Sequence, residues 1–131
     1  MKASPSMDAW LKEAKLDENA HRVGMYLTHN GIVRESNKAS VRYGETERKV
    51  RGMLFSYDDE KLSAVLDEAR AMEGIYYIKA WLNEGELKTG DDIMYVLIGG
   101  DIRPRVVDCL QHLVGRIKNE CVVETEIYEE E

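Results

Sequence analysis

At 131 residues, with 44% hydrophobic and 33% charged side chains, the chain has the balance of one soluble globular domain, long enough to bury a core without staples. A formal net charge of −7 excludes broad, charge-driven binding to nucleic acid or anionic membranes, while leaving room for a small basic pocket. No run reaches the roughly 18 apolar residues of a membrane span, and the start, MKASPSMDAWLKEAK, has acids where a secretory signal needs an apolar run, so a cytoplasmic location is expected.

Residues 1–20 form a polar N-terminal segment with one amphipathic patch, Trp10, Leu11 and Ala14, that suits a short helix. In RVGMYLTHNGIVR, Val23, Met25 and Leu27 alternate with Gly24, Tyr26 and Thr28, the period of a strand. The charged stretch that follows has no hydrophobic pattern and is expected to be a mobile loop over 35–49. VRGMLFSY returns to strand, with Met53, Phe55 and Tyr57 on one face. Leu62, Val65, Leu66, Ala69 and Met72 then fall at helical spacing. Ser56 or Asp58 can cap that helix and Gly74 can stop it.

IYYIKAWL and DIMYVLIGG read as strands covered on both faces, joined by the tight connector NEGELKTGDD. A second helix starts near Pro104, with Val106, Cys109, Leu110, Leu113, Val114 and Ile117 as its core stripe. CVVETEIY is a last strand, running into an acidic tail over 129–131. The whole of 1–131 is expected to be a single α+β domain with a mixed or antiparallel sheet and two main helices, in the order β-β-α-β-β-α-β.

The sequence has no nucleophile elbow, P-loop or dinucleotide fingerprint. Cys109 and Cys121 lack zinc spacing and read as reduced core thiols. His21, His29 and His112 lie in three separate elements and read as ordinary histidines. Asp58-Asp59 and Asp91-Asp92 sit at a helix start and a turn, where acids are routine. In GGDIRPR, paired glycines lead into a helix start flanked by Arg103 and Arg105, an arrangement that can hold a phosphate. A strand-to-helix turn with two solvated arginines accounts for the same residues. Lys118, the last cation of the chain, is equally two-sided. It can offset the dipole at a helix end, or serve as a reactive amine if a pocket desolvates it.

From about residue 22 to 126 the chain resembles the catalytic (large) subunit of molybdopterin synthase. Thr28, Gly31, Val33 and Arg34 fit the family's strand ending Thr-x-x-Gly-x-Val-Arg. LSAVLDEAR matches its first helix, and NEGELKTGDDIMYVLIGG its Gly-Glu-Leu-x-x-Gly-Asp hairpin with the strand that follows. The resemblance implies an α/β-hammerhead-type fold and a homodimer. It implies a small ubiquitin-like partner at each dimer end, whose C-terminal Gly-Gly thiocarboxylate delivers sulfur to cyclic pyranopterin monophosphate without a metal or organic cofactor. Arg34 matches a pocket arginine, and Lys118 matches the catalytic lysine at the end of the second helix.

The match has gaps. Thr125 stands where a second lysine is expected, and Asp101 and Ile102 replace a His-Arg pair. Arg103 and Arg105 are near enough in sequence to be substitute phosphate ligands. The alternative is a non-catalytic relative that binds a ubiquitin-like partner or a pterin without sulfur transfer.

Overall fold

Strand alternation and turn chemistry build two three-stranded sheets rather than one. The computed structural model describes residues 1–35 and 50–128. The expected loop beyond Glu35 and the acidic tail over 129–131 lie outside the described residues. Helix α1 spans Met7–Ala14, and its Ala9 amide donates to the Ser6 hydroxyl at 3.3 Å, a helix cap of ordinary kind. A 3-10 turn at Ala20–Arg22 leads to strand β1, Met25–Ile32. Next come β2 (Val50–Tyr57), helix α2 (Asp59–Arg70), β3 (Ile75–Leu82), β4 (Gly85–Lys88) and β5 (Asp92–Gly100). Helix α3 (Arg103–Arg116), a π turn (Ile117–Cys121) and β6 (Val122–Tyr128) complete the order.

The first sheet has the strand order β1-β5-β3 and the second β4-β2-β6, with every pairing antiparallel. The expected α+β class therefore holds, with two corrections to the element order. The connector NEGELKTGDD contains a further strand, β4, because its four residues pair with Gly52–Phe55 of β2. The amphipathic N-terminal patch is a helix, α1. The helix is the short one that the Trp10, Leu11 and Ala14 patch suits, whereas β4 does not show in local periodicity, since four residues give too short a pattern.

β5 lies at the centre of its sheet and is covered on both sides, as its continuous hydrophobicity predicts. Val96 and Ile98 enter the main core, where α2 and α3 bring Leu62, Val65, Leu66, Val106, Cys109 and Leu113. Val50, Met53, Phe55 and Leu87 of the second sheet join the same core. On the opposite face Leu97 packs with Trp10 and Ala14 of α1, walled by Tyr26, Tyr77, Trp81 and Tyr95. Each large apolar side chain fully withdrawn from water contributes about 1.5–3 kcal/mol.

The GGD turn after β5 is built for close approach. A Cβ on Gly100 would meet Val106 Cγ2 at 2.5 Å and the Gly74 carbonyl oxygen at 2.7 Å. Only glycine lets β5 run directly beneath the start of α3.

Candidate functional site

Two segments distant in sequence converge beside the second sheet. β1 continues through Val33, which is pinned on both backbone groups: its amide donates to the Asp91 carbonyl at 3.0 Å, and its carbonyl accepts from the Gly90 amide at 2.8 Å. Beyond it the Glu35 carbonyl accepts from the Val50 amide at 2.6 Å. Arg34 is thus an exposed side chain on a backbone fixed at either side.

Lys118 is held by a different device. It is the second residue of the π turn, whose ends Ile117 and Cys121 are buried in the main core. The Cys121 carbonyl also accepts from the Asp58 amide at 2.9 Å. A π turn is wider than an α turn and recurs at functional sites. Here its anchored ends leave Lys118, Asn119 and Glu120 exposed. The cation in the last turn of α3 proper is Arg116, which is bound by Glu68 and Glu120.

Arg34 and Lys118 line one narrow cavity of about 40 Å³, floored by Ile32, Met53 and Ile93 and completed by Glu124 and Glu126. Because strand residues alternate, Glu124 and Glu126 of β6 lie opposite Phe55 and Met53 on the inner side, while Thr125 is exposed on the outer side opposite Leu54. Two cations and two carboxylates share the cleft. Such a volume admits about a water or two, far below the roughly 300–1,000 Å³ of a small-molecule site.

Arg103 and Arg105 are elsewhere. They begin α3, whose 14 residues put about 21 Å of helix between them and Lys118. Arg105 donates to Asp101 Oδ2 at 2.6 Å and to Glu73 Oε1 at 3.2 Å, so two carboxylates already hold its guanidinium. The capping position of α3 is Ile102, with no side-chain cap. Asp101 Oδ1 accepts from the Ile102 amide at 2.7 Å.

His29 belongs to the neighbourhood although its sequence context gives no sign of it. Burial, then the positive charge of Lys118, lowers its pKa below 6.5. Cys109 and Cys121 are unpaired and buried, and burial pushes the Cys109 thiol up to about 11. Among the described residues, no group of three His, Cys, Asp or Glu side chains could hold a metal ion, and no helix is long and apolar enough to cross a membrane.

A family model described as MoaE protein matches residues 4–120. The chain belongs to the MoaE family. That is the large-subunit family of molybdopterin synthase, which gives the chain a role in molybdopterin biosynthesis. Solved MoaE-like structures share its fold. A molybdopterin synthase from Staphylococcus aureus is 18% identical with a TM-score of 0.72, over 98% of this chain and 89% of that one. A molybdopterin biosynthesis MoaE protein from Burkholderia ambifaria is 16% identical, with a TM-score of 0.70 over 97% and 85%. A complex of subunits 1 and 2 of molybdopterin-converting factor from Helicobacter pylori also matches, at 16% identity and a TM-score of 0.65 over 95% and 82%. A comparison with curated proteins finds no match.

Proposed function

We propose that this MoaE-family chain is the sulfur-transferring large subunit of a molybdopterin synthase. In this reading the C-terminal Gly-Gly thiocarboxylate of a small ubiquitin-like subunit enters the Arg34–Lys118 cleft and gives its sulfur to cyclic pyranopterin monophosphate. Two rounds produce the dithiolene. Lys118 acts as the acid/base group beside the thiocarboxylate, and Arg34 holds substrate anion. The observation that carries the reading is the meeting of Arg34 and Lys118 in one cleft, from opposite ends of the chain, on a MoaE fold. The similar Helicobacter pylori structure, a complex of subunits 1 and 2 of molybdopterin-converting factor, supports the small partner.

The cleft is too small to enclose a pterin, which supports a site completed by other chains, including a second copy in a homodimer. Arg103 and Arg105, at the far end of α3, can join Lys118 at the substrate phosphate only from that second copy.

The experiment is a reconstituted conversion with thiocarboxylated partner and cyclic pyranopterin monophosphate, beside Lys118→Ala. We expect dithiolene product from the wild type and a loss of at least about 100-fold in the variant, the usual scale of a positioned acid/base group. A second reading is favoured by Glu124 and Glu126, which offset the cleft's cations. It is a non-catalytic module that binds the partner or the pterin, and it would be indicated by partner binding without product.

A further inference from the structure

We propose that His29, which stands beside the Arg34–Lys118 cleft rather than in its lining, is a proton-linked cation that takes up a proton as an anion enters the cleft. This rests on the reading of the cleft as an anion site.

The geometry comes from strand alternation. Met25 and Leu27 of β1 pack against the main core, and His29 and Gly31 continue that face toward the cleft. Gly31 has no side chain, and the imidazole leans over it: a Cβ there would lie 3.7 Å from His29 Nε2, 3.3 Å from Met94 Cγ and 3.9 Å from Ile93 Cβ. Ile93 and Ile32, which flank this spot, line the cleft itself. His29 Nε2 is therefore carried along the strand toward the side of the molecule where Lys118 stands.

The surroundings define when it ionises. On β5 its cross-strand partner is Val96, an apolar residue. α3, which packs on β1, contributes the apolar side chains Leu110, Leu113 and Val114 to the core. The charged groups of the cleft are Lys118 on the π turn, Arg34 beyond β1, and Glu124 and Glu126 on β6. Burial, and then the Lys118 charge, favour the neutral imidazole. An anion placed between Arg34 and Lys118 reverses the second influence, because it cancels the field that repels the proton. Binding and protonation then favour each other by reciprocal linkage. A cleft with two glutamates gains a positive charge only when a negative ligand is present.

The ligand chemistry is a compact anion, either the phosphate ester of the small substrate or the terminal carboxylate of the partner's tail. We would titrate the His29 ring by NMR in the isotope-labelled full chain between pH 5 and 8, alone, with sulfate, and with a peptide ending in Gly-Gly. Sulfate does not ionise in this range, so any pH dependence of its binding belongs to the protein. The expected result is a His29 pKa below 6.5 that rises with one of the probes, which also identifies the source of the anion. The affinity for that probe would fall by up to about tenfold per pH unit between the bound and free pKa values. In His29→Gln the slope would be flat.

In Lys118→Met, with no probe, the His29 pKa would rise toward 6.5, a readout that does not depend on the His29 variant folding. Binding of either probe without movement of the His29 pKa overturns the inference and leaves the anion site standing. No binding of either probe overturns both. An intact linkage in a protein that makes no dithiolene would defeat sulfur transfer alone.

Discussion

Burial disfavours whichever form of a side chain is charged, so it moves His29 and Cys109 in opposite directions. The folded His29 resists a proton that the unfolded chain accepts near 6.5, so stability is lost as pH falls below that value. The folded Cys109 keeps its proton up to about 11, whereas the unfolded thiol releases it near 9.0. Stability is thus complete below pH 9 and is lost as pH rises toward 11. Cys121, Tyr77 and Tyr95 are raised as well and act in the same sense. Urea unfolding across pH should give a plateau near neutrality with a falling limb on each side. Cys109→Ala should flatten the alkaline limb by at most about 2–3 kcal/mol, and His29→Phe should flatten the acid limb. An alkaline limb unchanged in Cys109→Ala would mean that the thiol is not withdrawn from water as the structure has it.

Among the elements, the β3–β4 junction depends on Asn83, the one buried polar side chain among the described residues, at 1% exposure. Its Nδ2 donates to the Asp92 carbonyl at 2.8 Å, and its Oδ1 accepts from the amides of Lys2 at 2.8 Å and Glu84 at 2.9 Å. Lys2 then extends its ammonium to the Tyr57 hydroxyl at 2.7 Å, tying the N-terminus to the second sheet. Asn83→Leu strips partners from three backbone groups at once. It should cost about 2–4 kcal/mol, and Lys2→Ala less than about 1 kcal/mol, measured by chemical denaturation.

This junction also marks the limit of what local sequence can tell. The strands β1, β2, β3, β5 and β6 and the helices α2 and α3 follow from alternation or a 3.6-residue stripe, which act over a few neighbours. Asn83 looks like a turn residue, because two of its three partners lie 81 residues before it and 9 after it. Lys118 reads as the last cation of a helix, since Ile117 continues the apolar stripe. No local pattern distinguishes a π turn from one more α turn. His29 looks unremarkable for the same reason: its neighbour Lys118 arrives through the tertiary fold. Arg34 and Lys118 were legible as site candidates through the family resemblance, and only the fold brings them together.

For the molecule as a whole, the distance along α3 decides how the proposed site can be assembled. Arg103 and Arg105 stand at the start of α3 and Lys118 in the π turn just past its end, so a single chain cannot bring them to one ligand. A two-fold homodimer presents the same surface twice and can set the start of one α3 beside the end of another. This predicts complementation between two variants. On the proposed arrangement Lys118→Ala would remove the amine from its own chain's pocket, and Arg103→Ala would remove a phosphate ligand from the pocket of its partner. In a mixed dimer one pocket then carries both defects and the other carries neither. Random reassortment makes half the dimers mixed, so conversion should recover to about a quarter of the wild-type rate when the two variants are unfolded and refolded together. Separately refolded variants should stay at their own low rates. Arg105→Ala makes a second arm, with stability checked because Arg105 also holds Asp101 and Glu73. If the mixed sample dimerises and no activity returns, Arg103 and Arg105 do not complete the site across the dimer, and Arg34 is left as the arginine that shares the cleft with Lys118.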